Sequence, residues 1–289
     1  MLIAAPLLLA LLVGVCECST VTYIDLGHAV DENSMHWVNL KPFTREVLHR
    51  GYFEHGDYWL ESYSFCTPEH LSTHLDAPSH YAEGKWSVAD IPLERLIGKG
   101  VVVDIRHKVR DDPTAELMAD DLMAWMDEYG PLPDGAVVFV LTGWGQRYGN
   151  KTAYYGNDNN NSTNLIFPGI NPGAAQLLAG YEHASGRRVF GVGIDTASLD
   201  HGPSKTFKTH IDLSKENIYG LENVANLEKL PTKDFEVIVM PIKLTGGSGG
   251  PTRLVARIPA LYSAAMAFYR PASHYLLLLL ATFTILILL

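Results

Sequence analysis

The sequence predicts an α/β domain, because apolar runs typical of strands alternate along the chain with segments typical of helices. Four runs rich in β-branched residues indicate strands: Gly100–Ile105, Ala136–Leu141, Arg188–Ile194 and Phe235–Ile242. No internal repeat or long linker divides the chain. We therefore expect these elements to form one domain.

Two helices are expected between the predicted strands. In residues 118–129 apolar side chains recur at helical spacing, and Gly130 follows as a C-terminal stop. Residues 172–179 begin with Pro172, which is favoured in the first turn of a helix. Both helices separate predicted strands, as expected in an α/β domain.

The N-terminal residues resemble a secretory signal peptide. Residues 1–18 contain the apolar run Leu2–Val15, which is followed by small residues before Ser19. That run is shorter than the roughly 20 apolar residues that a membrane span requires. We expect residues 1–18 to be removed when the chain enters the secretory pathway.

The C-terminal residues 263–289 resemble an attachment signal for glycosylphosphatidylinositol (GPI). The apolar tail at 275–289 has no charged residue after it, and small residues at 263–265 precede a spacer at 266–274. We expect Ser263 to carry the anchor, which would tether the protein to the extracellular face of the plasma membrane. A tail-anchored helix is the alternative.

Removal of both ends would leave residues 19–262 as the domain, which is long enough to form its own core. Of the three cysteines only Cys66 would remain, and we expect it to be a buried thiol. The net charge of −10, without a basic cluster, argues against a nucleic-acid partner.

Three asparagines begin sequons for N-glycosylation: Asn150, Asn160 and Asn161. The last two lie in the very polar stretch GNDNNNST, which is typical of an exposed loop. We expect these sites to be glycosylated if the chain is secreted.

The segment HLSTHLDAPSH, residues 70–80, contains the clearest candidate site. His70, His74 and Asp76 are residue types that zinc or manganese accepts, and three protein ligands leave room for water. Pro78 excludes a regular helix, so we expect the ligands on a loop that leaves a strand. A chance cluster among the twelve histidines is the alternative.

A second group of possible ligands lies downstream, in the segment 198–230. It offers His201, His210, Asp212 and Glu222, and residue type alone does not choose among them.

HLSTHLDAPSH resembles the H-x-G-T-H-x-D-x-P-x-H signature of the cyclase-like metal hydrolases, which include bacterial kynurenine formamidase and isatin hydrolase. Further segments resemble the family in the same order: LTGWGQRY (141–148), FPGINPGAAQLL (167–178), VGIDTASLD (192–200) and HIDLSKENIYGLENVANLEKLP (210–231). The resemblance covers about residues 23–258.

The resemblance implies a single swivelling β/β/α-type domain and a centre that holds one or two divalent ions, zinc or manganese. His70, His74 and Asp76 match the ligands of the first ion. Asp76 would also reach the second ion together with His210, and Glu222 matches a carboxylate that can bridge both. His201 and Asp212 are then not expected to be ligands.

Three further positions follow from the resemblance. His80 matches the catalytic proton donor and acceptor, and Trp37 resembles the aromatic residue that lines the substrate pocket. Ser72 replaces the glycine of the signature, and we expect serine to fit only if its φ is negative. Apart from the resemblance, we expect Asp195 and Asp200 in GIDTASLD to organise the turn after a strand.

The sequence therefore predicts a metal-dependent amidohydrolase in which His80 protonates the leaving nitrogen. N-formyl-L-kynurenine is the first candidate substrate, because the best-known member of the family cleaves an aryl formamide. Isatin or another cyclic amide is the alternative, and a catalytically silent surface binding protein is a different class. The family also implies a homodimer.

Overall fold

The computed structural model describes residues 21–53, 55–156 and 163–260. The segments expected to be processed, 1–18 and 263–289, lie outside the described residues, as do Asn160 and Asn161. Within the described part, no helix combines the length and apolarity needed to cross a membrane. Residues Tyr23–Arg257 form one compact unit.

The described residues contain twelve strands and six α-helices. The strands are β1 Thr22–Asp25, β2 Thr44–Tyr52, β3 Trp59–Cys66, β4 His74–Asp76, β5 Ile97–Asp104, β6 Glu116–Leu117, β7 Ala136–Leu141, β8 Gly169–Ile170, β9 Val189–Ile194, β10 Tyr219–Glu222, β11 Phe235–Pro241 and β12 Gly249–Ile258. The helices are α1 Arg106–Asp111, α2 Ala119–Tyr129, α3 Lys151–Tyr155, α4 Pro172–Ala179, α5 Tyr181–Ser185 and α6 Lys208–Lys215.

The main sheet has eight strands in the order β1-β12-β11-β5-β7-β9-β10-β4. Neighbours from β5 through β7 and β9 to β10 run parallel. The pairings of β11 with β5 and β12, and of β4 with β10 and β12, are antiparallel. Strand β4 pairs with β12 as well as with β10, so the sheet closes on itself like a barrel. This architecture confirms the predicted α/β class.

The parallel strands are continuous apolar runs because the sheet interior and the helices cover both of their faces. Every residue of β7 and of β9 is buried. The helix α2 packs Leu122 and Trp125 on this sheet, and the Trp125 indole donates to the carbonyl of Val102 at 2.9 Å. Gly130 ends α2 with φ +89°, a conformation that glycine adopts without strain.

Strands β2 and β3 form a separate antiparallel hairpin, and among the described strands they pair only with each other. Cys66, the last residue of β3, is exposed. The prediction of a buried thiol is therefore wrong. Cys66 would be buried only if another element packed over the end of this hairpin. The apolar character of its side chain does not determine whether one does.

Candidate metal centre

The residues of the centre come together where β4 pairs with β10. The register places Glu222 opposite His74 and Gly220 opposite Asp76. Residues two apart on a strand share a face, and so do cross-strand partners. His74, Asp76 and Glu222 therefore project from one face of the sheet, and all three are buried.

The strand around His74 and Asp76 corrects the prediction that these residues lie on a loop. Although β4 has only three residues, it pairs with β10 on one side and with β12 on the other. Pro78 then begins a short 3-10 helix, Pro78–His80, so the proline ends the strand. His70 lies outside regular structure, as expected.

Asp76 links the two groups of possible metal ligands. Its Oδ1 lies 2.7 Å from His70 Nδ1 and 3.1 Å from His74 Nε2. Its Oδ2 lies 3.3 Å from Nε2 of His210, which belongs to α6. The groups His70, His74, Asp76 and Asp76, His210, Glu222 each bring their ligand atoms within 4.8 Å of one another.

Glu222 also contacts both groups. Its Oε1 lies 3.0 Å from His210 Nε2, and its Oε2 lies 3.4 Å from His74 Nε2. The backbone N–H of Leu199 donates to Oε1 at 3.0 Å, which fixes the carboxylate. The five residues expected to bind metal are therefore brought together in one place.

Asp200 supports the centre in a way that the sequence did not indicate. Its Oδ2 lies 2.6 Å from His210 Nδ1, which leaves Nε2 of that ring facing Asp76 and Glu222. Asp195 instead accepts hydrogen bonds from the N–H and the hydroxyl of Thr142, as expected of a residue that organises a turn. No local pattern distinguishes these two aspartates.

The other two downstream candidates lie elsewhere. His201 Nδ1 is 3.2 Å from Glu116, and Asp212 pairs with Lys208 on the same helix. Neither belongs to a group of possible metal ligands within the described residues.

The charges in the centre suit a divalent cation. Burial acts to raise the pKa of Asp76, but His70 and the other imidazoles hold that pKa well below its usual range, so the carboxyl is ionised. Burial acts to lower the pKa of His74, but Asp76 and Glu222 raise it to about 10. His74 Nε2 is buried without a well-formed hydrogen bond although it lies close to both carboxylates. Buried anions need cationic partners. Three imidazoles and two carboxylates are ligands that a divalent metal ion accepts.

A cavity of about 220 Å³ opens beside the ligands. Trp37 lines it, as the resemblance implies, together with His80, Tyr81 and Phe207. The rings of Tyr81 and Phe207 stack at a centroid distance of 5.5 Å. Sequence reasoning missed these two aromatic residues, although Tyr81 follows His80 directly. The pocket therefore has an aromatic wall facing the possible metal ligands.

The His80 imidazole stacks on His70 at a centroid distance of 4.1 Å. Burial lowers the pKa of His80 to about 4, so the ring is neutral at pH 7. A neutral imidazole beside the ligands can accept a proton.

With this geometry in view, comparison with known proteins is informative. A family model described as a cyclase matches residues 24–201, more than half of the chain. The chain belongs to the cyclase family. It is 32% identical over 200 residues to an isatin hydrolase of Roseibium aggregatum, covering 66% of this chain and 72% of that protein. It is 30% identical over 194 residues to a kynurenine formamidase of Paracidovorax citrulli, covering 66% and 77%.

Solved structures agree with the sequence relatives. An isatin hydrolase bound to the product analogue thioisatinate superposes with a TM-score of 0.73 at 27% identity, covering 89% of this chain and all (100%) of that chain. Isatin hydrolase A from Labrenzia aggregata, bound to benzyl benzoate, gives 0.73 at 28% identity, with 87% and 99% covered. The predicted family and the hydrolase class are confirmed.

In this cyclase-family chain Ser72 contradicts the expected backbone geometry. Its φ is +53°, whereas the sequence predicted a negative value. The left-handed backbone that glycine would adopt is kept, and the Ser72 carbonyl accepts from His74 Nδ1 at 2.9 Å. The Ser72 hydroxyl lies 2.8 Å from the Tyr148 hydroxyl.

Asn150 is the one predicted glycosylation site within the described residues. It is exposed, and its side-chain oxygen caps α3 by accepting from the N–H of Ala153 at 3.0 Å. Its glycosylation stays a prediction.

Proposed function

We propose that this cyclase-family hydrolase cleaves an amide bond with the help of divalent metal held by His70, His74, Asp76, His210 and Glu222. The observation that carries the proposal is the convergence of these three imidazoles and two carboxylates in a buried site. Zinc and manganese are the candidate ions, since both accept nitrogen and carboxylate ligands.

The shared ligand Asp76 supports a site for one or two ions. Its Oδ1 faces His70 and His74 and its Oδ2 faces His210. Glu222 faces His74 and His210. When bound, a divalent ion polarises an amide carbonyl and lowers the pKa of water toward about 7.

His80 is the proposed proton carrier. Because burial keeps its imidazole neutral, His80 first takes a proton from the water that attacks the carbonyl carbon. It then gives that proton to the leaving nitrogen as the C–N bond breaks. The hydrolysis therefore yields a carboxylic acid and an amine, and His80 returns to its neutral form.

For the substrate we propose an aryl amide, with N-formyl-L-kynurenine as the first candidate and L-kynurenine and formate as its products. The aromatic wall of Trp37, Tyr81 and Phe207 supports an aromatic ring beside the scissile bond. Isatin, a cyclic aryl amide, is the second candidate, because a relative named isatin hydrolase matches at 32% identity.

The test joins metal analysis of the purified protein to a hydrolysis screen over aryl formamides and cyclic amides. The variant His74→Ala should lose metal and activity together. The variant His80→Ala should keep its metal but lose about 10²–10⁴-fold in turnover, as removal of a general acid–base group does. Recovery of His80→Ala at high zinc or manganese would make His80 a ligand, and full metal content in His74→Ala would contradict the ligand set.

A homodimer is the assembly we propose. The register of the hairpin places Val47 opposite Tyr63 and Tyr52 opposite Trp59, so these side chains share one face. Val47, Tyr52 and Trp59 are 59%, 73% and 53% exposed. A two-stranded hairpin is at best marginally stable alone, and an exposed aromatic face gains stability when it is covered.

A second copy of the chain suits this face because the face carries both charge signs. Arg50 and Glu61 lie opposite each other on it, 3.1 Å apart, and they can pair equally well across a twofold axis. In sedimentation experiments the protein should be a dimer, and Trp59→Glu should be a monomer. Leu93→Glu, which also changes an exposed apolar residue, is the matched control and should stay dimeric. A monomeric protein, or equal loss of dimer in both variants, would contradict this interface.

For its location we propose secretion and tethering by GPI on the extracellular face of the plasma membrane. The support is the sequence of residues 1–18 and 263–289, with Ser263 as the expected attachment residue. Phosphatidylinositol-specific phospholipase C should release the protein from intact cells. Retention on the membrane with residues 275–289 detectable by mass spectrometry would instead indicate a tail anchor.

Enzymatic removal of N-glycans should lower the apparent mass if Asn150, Asn160 or Asn161 is modified.

A further inference from the structure

Ser72 lies in an unusual conformation at the base of the metal centre. It is fully buried and its φ is +53°, a region that side chains other than glycine rarely occupy. Its N–H donates to the carbonyl of Met35 at 2.7 Å, and its own carbonyl accepts from His74 Nδ1 at 2.9 Å. The unusual backbone therefore orients the His74 imidazole and leaves Nε2 of that ring directed at Asp76 and Glu222.

Tyr148 holds Ser72 in that conformation. The two hydroxyl oxygens are 2.8 Å apart, and the N–H of Met35 donates to the Tyr148 hydroxyl at 3.2 Å. The Tyr148 ring is itself fixed, because it stacks on His28 at 3.6 Å and meets Tyr154 edge-on at 5.6 Å. The hydroxyl of Tyr148 is thus a rigid anchor for the side chain of Ser72.

We propose that Ser72 and Tyr148 are a pair of positioning residues that set the His74 imidazole for metal binding. Glycine would reach this backbone conformation without strain. In this chain the hydrogen bond between the Ser72 and Tyr148 hydroxyls stabilises the backbone conformation that a glycine would adopt freely. Loss of the Tyr148 hydroxyl should therefore affect metal binding only while residue 72 is serine. The inference rests on the proposed function, because it assumes that His74 is a ligand.

A double-mutant cycle tests this dependence. Full-length protein is freed of metal with a chelator and titrated with zinc against a chromophoric competitor. Tyr148→Phe should lower zinc affinity, by at most the roughly 10–100-fold that follows removal of a group bonded directly to a ligand. Tyr148→Phe should lower zinc affinity much less in the Ser72→Gly background than in the wild type, because glycine needs no hydroxyl partner. The single variant Tyr148→Phe and the double variant both lose the acceptor for Met35 N–H. This loss therefore affects both arms of the comparison equally.

A second measurement separates orientation from general stability. With cobalt in place of zinc, the visible spectrum should change in Tyr148→Phe and return to the wild-type form when Ser72→Gly is added. Equal loss of affinity by Tyr148→Phe with and without Ser72→Gly would overturn the pairing. Unchanged zinc affinity in His74→Ala would overturn the proposed ligand set instead, so the two failures are distinguishable.

Discussion

Removal of the negative charge on Asp200 should weaken metal binding although Asp200 is no ligand. The Asp200 carboxylate is buried, and it holds His210 Nδ1 at 2.6 Å. Asp200→Asn keeps the size of the side chain but turns a charge-assisted hydrogen bond into a neutral one. Charged bonds contribute about 1.5–3 kcal/mol and neutral ones about 0.5–1.5 kcal/mol, a difference of about 1–1.5 kcal/mol.

That difference corresponds to about a tenfold loss of affinity, at roughly 1.4 kcal/mol per decade. Isothermal titration of the chelator-treated protein with zinc measures it directly. Asp134→Asn is the matched control, because Asp134 also binds a cationic partner, Arg188, but on the exposed surface. Wild-type affinity in Asp200→Asn, or an equal loss in Asp134→Asn, would refute the argument that Asp200 acts through His210.

Three further predictions concern pH, stoichiometry and the core. Burial lowers the pKa of His28 from 6.5 to about 4, so the unfolded state binds a proton more readily and stability falls as the pH drops from 6.5 toward 4. When the pH is lowered from 7.5 to 4.5, the free energy of unfolding in urea should fall by about 1–2 kcal/mol more for the wild type than for His28→Phe. This figure allows for the partial exposure of His28. Glu222→Gln should lower the metal-to-protein ratio by mass spectrometry if the protein binds two ions. Leu122→Ala should cost about 2–5 kcal/mol of unfolding free energy without changing zinc affinity.

The sequence predicted the parts of the fold that depend on local pattern. The apolar run Ala136–Leu141 matches β7, and Pro172–Ala179 matches α4, because an apolar β-branched run and a proline in the first helical turn are local signals. Strand β4 escaped prediction because three residues are too few to show alternation. Its strand character comes from pairing with β10 and β12, which are distant in the sequence.

Three candidate ligands were predictable from the motif and the other two, His210 and Glu222, from the family resemblance, but the residues that support them were not. Asp200 acts on His210 across a turn, and Tyr148 acts on Ser72 across 76 positions. Such contacts depend on tertiary packing, which residue type does not reveal. The φ of Ser72 was predicted with the wrong sign for the same reason, since Tyr148 supplies the contact that makes it tolerable.

The shortest strand of the sheet also completes its closure. Strand β4 supplies both His74 and Asp76, and it joins the otherwise free edge of β10 to residues Gly249–Pro251 at the start of β12. Without a metal ion, only the buried imidazoles, among them His74 and His210, balance the repulsion between the carboxylates of Asp76 and Glu222 at this seam. If the seam parts, the backbone N–H and C=O groups of two strand edges become available for pairing with other molecules. Prolonged chelation should therefore lead to aggregation of this protein, in which case a bound metal would protect against misassembly as well as support the proposed chemistry.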